Sequence, residues 1–187
     1  NGDLFIDGGT NSQVGGNLTV TATTENITDN TNVTVTGNST FTTLADAGAI
    51  TLNNTNAFGG WVKLTTTDTS GDDSHATIDN GTTALVLNAG SVIKGDLTVT
   101  SGHTSGITDN GAVTVGGNLV ATTDENNGVI DLGTITVTGT MDLTTQGTGG
   151  HVTIDNATSD IVLIASEIGG TLTLTSGSAA GITDDGT

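Results

Sequence analysis

The feature that most limits what this chain can fold into is that it repeats itself at long range. Ile27-Thr28-Asp29-Asn30 returns 80 residues on as Ile107-Thr108-Asp109-Asn110, and a further 75 residues on as Ile182-Thr183-Asp184-Asp185. At the first offset Val33-Thr34-Val35 also matches Val113-Thr114-Val115, and Gly48, Ile50 and Leu52 match Gly128, Ile130 and Leu132. His75-Ala76-Thr77-Ile78-Asp79-Asn80 reappears 76 residues later as His151-Val152-Thr153-Ile154-Asp155-Asn156. A long period of this kind belongs to arrays in which each unit buries its apolar face against its neighbours, not to a domain closed around one core. The chain is read as one continuous array over 1–187: a partial repeat 1–15, a repeat 16–94, a repeat 95–169 and a truncated repeat 170–187. Gly16-Asn17-Leu18, Gly95-Asp96-Leu97 and Gly170-Thr171-Leu172 open the last three of these.

Inside a unit the apolar residues alternate over short runs, as in Leu97-Thr98-Val99-Thr100, Ala112-Val113-Thr114-Val115 and Ile135-Thr136-Val137-Thr138. Each run reads as a strand with one buried face. The runs lie too close together for helical crossovers, and two-residue hairpin turns do not regularly separate them, so a coil of parallel strands fits better than a meander. A turn of roughly 20 residues puts about four turns in each repeat and roughly nine in the chain. At about 4.8 Å per turn that is a rod on the order of 45 Å long. The apolar positions, from Leu18 and Val20 through Ile50 and Leu97 to Leu172 and Leu174, point inward, and the alternating threonines face water.

Composition agrees with a thin core. Only 33% of residues are hydrophobic and 2% aromatic, while Gly, Thr, Asn, Asp and Val dominate. Weak helix formers of this kind argue against helix. Proline is absent and glycine numbers 29, so the turns fall to residues that tolerate positive φ, as at Asn80-Gly81, Asn110-Gly111 and Asn127-Gly128. The formal net charge is −18, with Lys63 and Lys94 as the only basic residues besides histidine, so nucleic acid is not an expected partner. Zero cysteine removes a disulfide framework. No stretch is long and apolar enough to enter a bilayer, and Asn1-Gly2-Asp3 is neither an initiator methionine nor a signal peptide, so the chain reads as a mature or excised fragment.

The segments GNLTVTATTENITDN at 16–30, GDLTVTSGHTSGITDNGAVTVGG at 95–117 and, within it and beyond, NGAVTVGGNLVATT at 110–123 resemble the repeats of filamentous-haemagglutinin-like exoproteins and giant β-strand-repeat bacterial surface adhesins. The resemblance covers nearly the whole chain. It implies a right-handed parallel β-helix, export to the bacterial surface or beyond it, and a stalk, adhesive or biofilm-matrix role. The capping region and export signal of complete proteins of that kind are not visible in the sequence. Partners are accordingly expected to be further repeats or other copies of the chain, end to end, and host or matrix glycans.

Several residues invite a chemical reading. Gly71-Asp72-Asp73 with His75, and His103 after Gly102, faintly resemble the acidic pair and histidine of polysaccharide-cleaving β-helices. The basic residues that would hold an acidic glycan have no counterpart here, so no enzyme is expected. His75 and His151 share one repeat position and read as a ladder feature, not as ligands of one metal. Asp68, Asp72, Asp73, Asp124, Glu125 and Asn126 offer hard oxygen donors that suit calcium, but without the glycine-rich nonapeptide of calcium-binding coils. Thr19-Val20-Thr21, Thr98-Val99-Thr100 and Thr136-Val137-Thr138 read as exposed strand residues in place of an ice-binding array. The acceptor sequons at Asn26 and Asn156 follow from composition, and Trp61, set beside Met141 by the repeat, reads as a corner residue or a lone carbohydrate platform. No catalytic, cofactor-binding or metal-binding residue is assigned.

Overall fold

The computed structural model describes residues 4–6, 11–69, 71 and 74–185. They form an all-β solenoid of about 8 turns with a period of ~22 residues per turn, and the strand pairings are parallel. Among the described residues there is no helix, and hence none long and apolar enough to cross a membrane.

Three short strands make a typical turn. The first turn holds β1 (Leu4–Ile6), β2 (Ser12–Val14) and β3 (Leu18–Ala22), the second β4 (Ile27–Asp29), β5 (Val33–Val35) and β6 (Ser39–Asp46), and the third β7 (Ile50–Leu52), β8 (Ala57–Phe58) and β9 (Trp61–Thr67). Next come β10 (Ala76–Asp79), β11 (Leu85–Leu87) and β12 (Ser91–Ile93), then β13 (Leu97–Ser101), β14 (Ile107–Asp109) and β15 (Val113–Val115). The sixth turn holds β16 (Leu119–Asn126), β17 (Ile130–Leu132) and β18 (Ile135–Val137). The coil finishes with β19 (Met141–Gln146), β20 (Val152–Asp155), β21 (Ile161–Leu163), β22 (Leu172–Thr175) and β23 (Ile182–Asp184).

One flank is a nine-stranded sheet in the order β1-β4-β7-β10-β13-β16-β19-β21-β23. On it Ile27 pairs with Ile50, Ile50 with Ala76, Ala76 with Leu97, Leu97 with Leu119 and Leu119 with Met141, all buried and all pointing inward. The second flank holds β2, β5 and β8, and the third β3, β6 and β9. Above β9 the third flank divides into a row of β11, β14, β17, β20 and β22 and a row of β12, β15 and β18. Trp61 and Val62 of β9 pair with Val86 and Leu87 of β11, whereas Thr65 of β9 pairs with Val92 of β12. Four residues, Asn88 to Ser91, thus stand opposite the two residues Lys63 and Leu64, and the excess folds out as a corner with Gly90 at φ 76°.

The core is a continuous column. Stacking removes from water the small apolar side chains that a two-layer domain of this composition could not bury, and each fully buried Leu, Ile or Phe contributes about 1.5–3 kcal/mol. The expected inward positions on the inner turns are buried, including Val33, Ile50, Leu85, Leu97, Val113, Leu132 and Ile154. Leu18, Val20 and Leu174 are only partly buried against the core, and Leu172 is 39% exposed, because these lie on the outermost turns with a neighbour on one side; Leu163 is partly buried too, between Met141 and the polar Asp184. Two aromatic residues on adjacent turns, Phe41 and Phe58, meet edge to face at 5.5 Å. The alternating threonines mostly face outward, but Thr43, Thr66, Thr123 and Thr145 are buried. There each hydroxyl donates to a carbonyl, of Gly48, Ser74, Gly128 and Gly150 respectively, cinching the loop that follows a long strand.

Two sequence expectations are corrected by the register. The turn is about 22 residues and not 20, so the coil has about eight turns, near 38 Å at strand spacing. The repeat does not contain four turns either. Three pairings along the nine-stranded sheet carry Ile27 to Leu97, and Ile107 lies ten residues further on, so one repeat is about three and a half turns. Repeat-equivalent strands consequently stand about half a turn apart: β4 and β7 lie in the nine-stranded sheet while β14 and β17 lie in the other large sheet, and β6 and β9 stand on the third flank while β16 and β19 join the nine-stranded sheet. Two repeats make about seven turns, and β23, which holds the Ile182 counterpart of Ile27 and Ile107, is back in the nine-stranded sheet with β4.

Candidate functional site: the corner ladders and the acidic loops

The described residues with a chemical reading sit at corners, and most are engaged in holding one turn to the next. The Nδ1 of His75 accepts the backbone N–H of Asp96 on the following turn at 2.9 Å, and the Nδ1 of His151 accepts that of Thr171, also at 2.9 Å. A nitrogen that accepts is unprotonated, so both rings bear their proton on Nε2 in this arrangement. The carboxylate of Asp96 lies 3.6 Å from the same His75 nitrogen, an ion pair only if the ring is charged. The two histidines do equal jobs on different flanks and do not meet, as their shared repeat position implied.

His75 starts a longer ladder. Asp96 Oδ1 accepts the N–H of Asn118 at 2.7 Å, and Asn118 Oδ1 accepts the N–H and hydroxyl of Thr140 at 2.9 Å each. Earlier in the coil Asn17 Oδ1 accepts from Asn38 N–H, and Asn38 Oδ1 from Trp61 N–H. A side-chain acceptor just before a strand thus satisfies the N–H that opens the strand above it, where the corner interrupts the backbone ladder. The signal was in the sequence: a glycine followed by Asn or Asp recurs at Gly16-Asn17, Gly37-Asn38, Gly95-Asp96 and Gly117-Asn118, at the spacing of a turn.

Trp61 is half-buried at the start of β9, after the Gly59-Gly60 corner. Its structural equivalent is Thr140 and not Met141. Val35 pairs with Phe58 and Val115 with Val137, yet Leu52 to Phe58 is one residue longer than Leu132 to Val137, so Met141 aligns with Val62.

Inner corners use buried amides. Asn80 is fully buried; its Oδ1 accepts Phe58 N–H at 2.7 Å and its Nδ2 donates to the carbonyls of Phe58, Thr83 and Ala84. Asn156, its repeat equivalent, accepts from Val137 N–H and donates to the carbonyls of Val137 and Asp160. A side chain so engaged leaves no room for a glycan in this fold. Asn26 accepts Ala49 N–H at 2.7 Å. The repeat marker Asp29 is 3% exposed, and its carboxylate accepts from the backbone of Asn53 and Asn54 and from the side-chain amides of Asn54 and Asn56.

The proposed acidic donors divide between two corners. Asp68 Oδ1 accepts Gly71 N–H at 2.9 Å in the loop between β9 and β10, and Asp72 and Asp73 lie outside the described residues. Asp124, Glu125 and Asn126 are exposed at the end of β16, about two and a half turns further on at ~22 residues per turn. Asp124 and Glu125 border an open groove with Asp79, over the close approach of Gly81 and Gly102, whose backbones are joined at 2.6 Å. Among the described residues no group of three or more His, Asp or Glu side chains is placed to hold a metal ion. His103 is occupied locally, its Nδ1 accepting Ser105 N–H.

A family model described as repeats of unknown function (DUF5649) matches residues 2–65 and 73–132. The unmatched stretch between them, 66–72, starts in the last residues of β9 and includes Asp68 and Asp72. No curated protein and no solved structure matches the chain. With well over half of its length matched in two successive copies, the chain belongs to the DUF5649 repeat family.

Proposed function

We propose that this chain is a structural module: a stretch of stiff solenoid that extends a secreted or surface-attached bacterial protein as a stalk or filament, without catalysis of its own. The observation that carries this reading is the uninterrupted parallel stacking of about eight turns, with an apolar column inside and acceptor side chains repeated at the corners. Such a coil is lengthened by adding repeats without redesigning its core, since each turn touches only its neighbours. The strongly acidic surface favours solubility in the extended state. An adhesive role, a bacterial surface location and end-to-end contact with further repeats or other copies follow from the resemblance to exoprotein repeats.

The reading is tested by negative-stain microscopy of the purified protein and of longer arrays of the same repeat, together with immunolabelling of intact cells. Rods whose length grows in proportion to repeat number, and label outside the cell, are expected. Compact particles of constant length, or label confined to the cytoplasm, would overturn it.

A further inference from the structure

Four long strands, β6, β9, β16 and β19, run on into corner loops, and the described parts of these loops come in stacked pairs. In the first pair Thr43 and Thr66 cinch the loops at their bases, and Asp46 Oδ1 ties them together by accepting the N–H and hydroxyl of Thr69 at 2.7 and 2.9 Å. In the second pair Thr123 and Thr145 serve as cinches, and Asn127 Oδ1 accepts Gly149 N–H at 2.8 Å. The bases are alike and the tips are not. Leu44-Ala45-Asp46-Ala47, with Leu44 54% exposed, stands where the next repeat has Asp124-Glu125-Asn126-Asn127. The stretch from Thr67 to His75 is also three residues longer than its counterpart, Gln146 to His151.

The first pair lies at the corner between the third flank and the nine-stranded sheet, and the second at the corner between that sheet and the row of β17 and β20. We infer that each repeat carries one two-loop tip and turns it by about half a turn relative to the preceding repeat, so that the rod presents tips of differing chemistry to lateral neighbours on two opposite edges. A repeat length of about three and a half turns makes this rotation obligatory wherever that length is kept. Two repeats, or about seven turns, return a tip to its starting edge, as Ile27 and Ile182 both lie in the nine-stranded sheet. Along the axis successive tips are separated by about 17 Å, the rise of three and a half turns at strand spacing. Constant bases with variable tips are the arrangement by which a rigid scaffold carries recognition on loops. The inference rests on the rod reading for its biological sense, but its geometry is testable alone.

The 187-residue chain has no cysteine, so nitroxide labels are placed uniquely in it. Labels at Leu44→Cys and Asp124→Cys report on successive tips, and labels at Thr21→Cys and Thr114→Cys report on one outward row, because Thr21, Thr42, Thr65, Val92 and Thr114 pair in succession. The row pair spans four turns, about 19 Å. Rotation of the tips makes the Leu44–Asp124 distance by pulsed dipolar spectroscopy longer than the row distance, although fewer turns separate the tips. A tip distance shorter than the row distance would mean that the tips share one edge, and would overturn the inference. The pair Thr34→Cys and Thr114→Cys, also exposed and one repeat apart, gives an independent reading with the same expected order. Loss of rods in microscopy with this order retained removes the stalk and leaves the rotation; the reverse removes the rotation and leaves the stalk.

Discussion

Ala47 and Asn127 occupy the same position in successive repeats and share one left-handed backbone conformation, with φ of 57° and 65°. That conformation costs an alanine about 1–2 kcal/mol and an asparagine less. Ala47 is exposed, so a larger polar side chain meets no core atom. Ala47→Asn is expected to raise stability by about 0.5–1 kcal/mol, and Asn127→Ala to lower it by at least as much because the bond to Gly149 is lost as well. Urea denaturation of the two variants checks both signs.

Ser39 is fully buried, and its hydroxyl has no hydrogen-bond partner. It pairs with Leu18 below and Val62 above, and its repeat equivalent is Leu119. Ser39→Ala removes an unsatisfied polar atom and is expected to stabilise by about 1 kcal/mol. Ser39→Leu is not expected to do so. Where Leu119 and Met141 stand in the second repeat, the first has the smaller Ser39 and Val62 but sets Phe41 and Phe58 against Ala121 and Val137. Volume is exchanged between neighbours, and a leucine at 39 overfills the space, at a cost of about 1–3 kcal/mol. A thermal melt that rises for Ser39→Ala and falls for Ser39→Leu is the expected pair of results.

Asp29 and Asp109 are repeat equivalents with unequal surroundings. The carboxylate of Asp29 is buried under two backbone N–H groups and two side-chain amides, while Asp109 is half-buried and binds Thr134 and Gly111. Asp29→Ala strands the buried amide of Asn56 and is expected to cost about 3 kcal/mol, and Asp109→Ala about half of that. Equal losses in guanidinium unfolding would show that burial does not set the difference.

His75 and His151 each cap the N–H of the next turn, and elsewhere in the coil Asn38 and Asn118 do the same. Either histidine to alanine is expected to cost about 1 kcal/mol. Asparagine at the same place should restore most of it, and hydrogen exchange at Asp96 or Thr171 should quicken in the alanine variants alone. An unchanged exchange rate would mean that the ring is not the cap.

How much of this was legible beforehand depended on the range of the interaction involved. Alternation of apolar residues around Val33, Leu97 and Ile130 is a period-two signal within a strand, and it correctly marked strands and inward faces. The outward threonine rows were harder to see. Thr21, Thr42 and Thr65 form a column because of register across turns, a relation between residues more than 20 apart in the chain. Leu172 has the pattern of a core residue and is exposed, since alternation states direction and not what stands above. The corner caps left a trace in the glycine-asparagine spacing, but their partners belong to neighbouring turns.

The sequence by itself determined that the chain is repetitive, parallel and built of short strands, because period-two patterning, glycine-rich corners and a scarcity of large apolar residues act locally and admit few other folds. Only the tertiary structure decided the number of turns, the pairing of Val62 rather than Trp61 with the place of Met141, and the rotation of each repeat by about half a turn. These depend on how many strands close a turn, and closure is a property of the stacked backbone, set by where the ladder hydrogen bonds and the inward side chains of successive turns come into register.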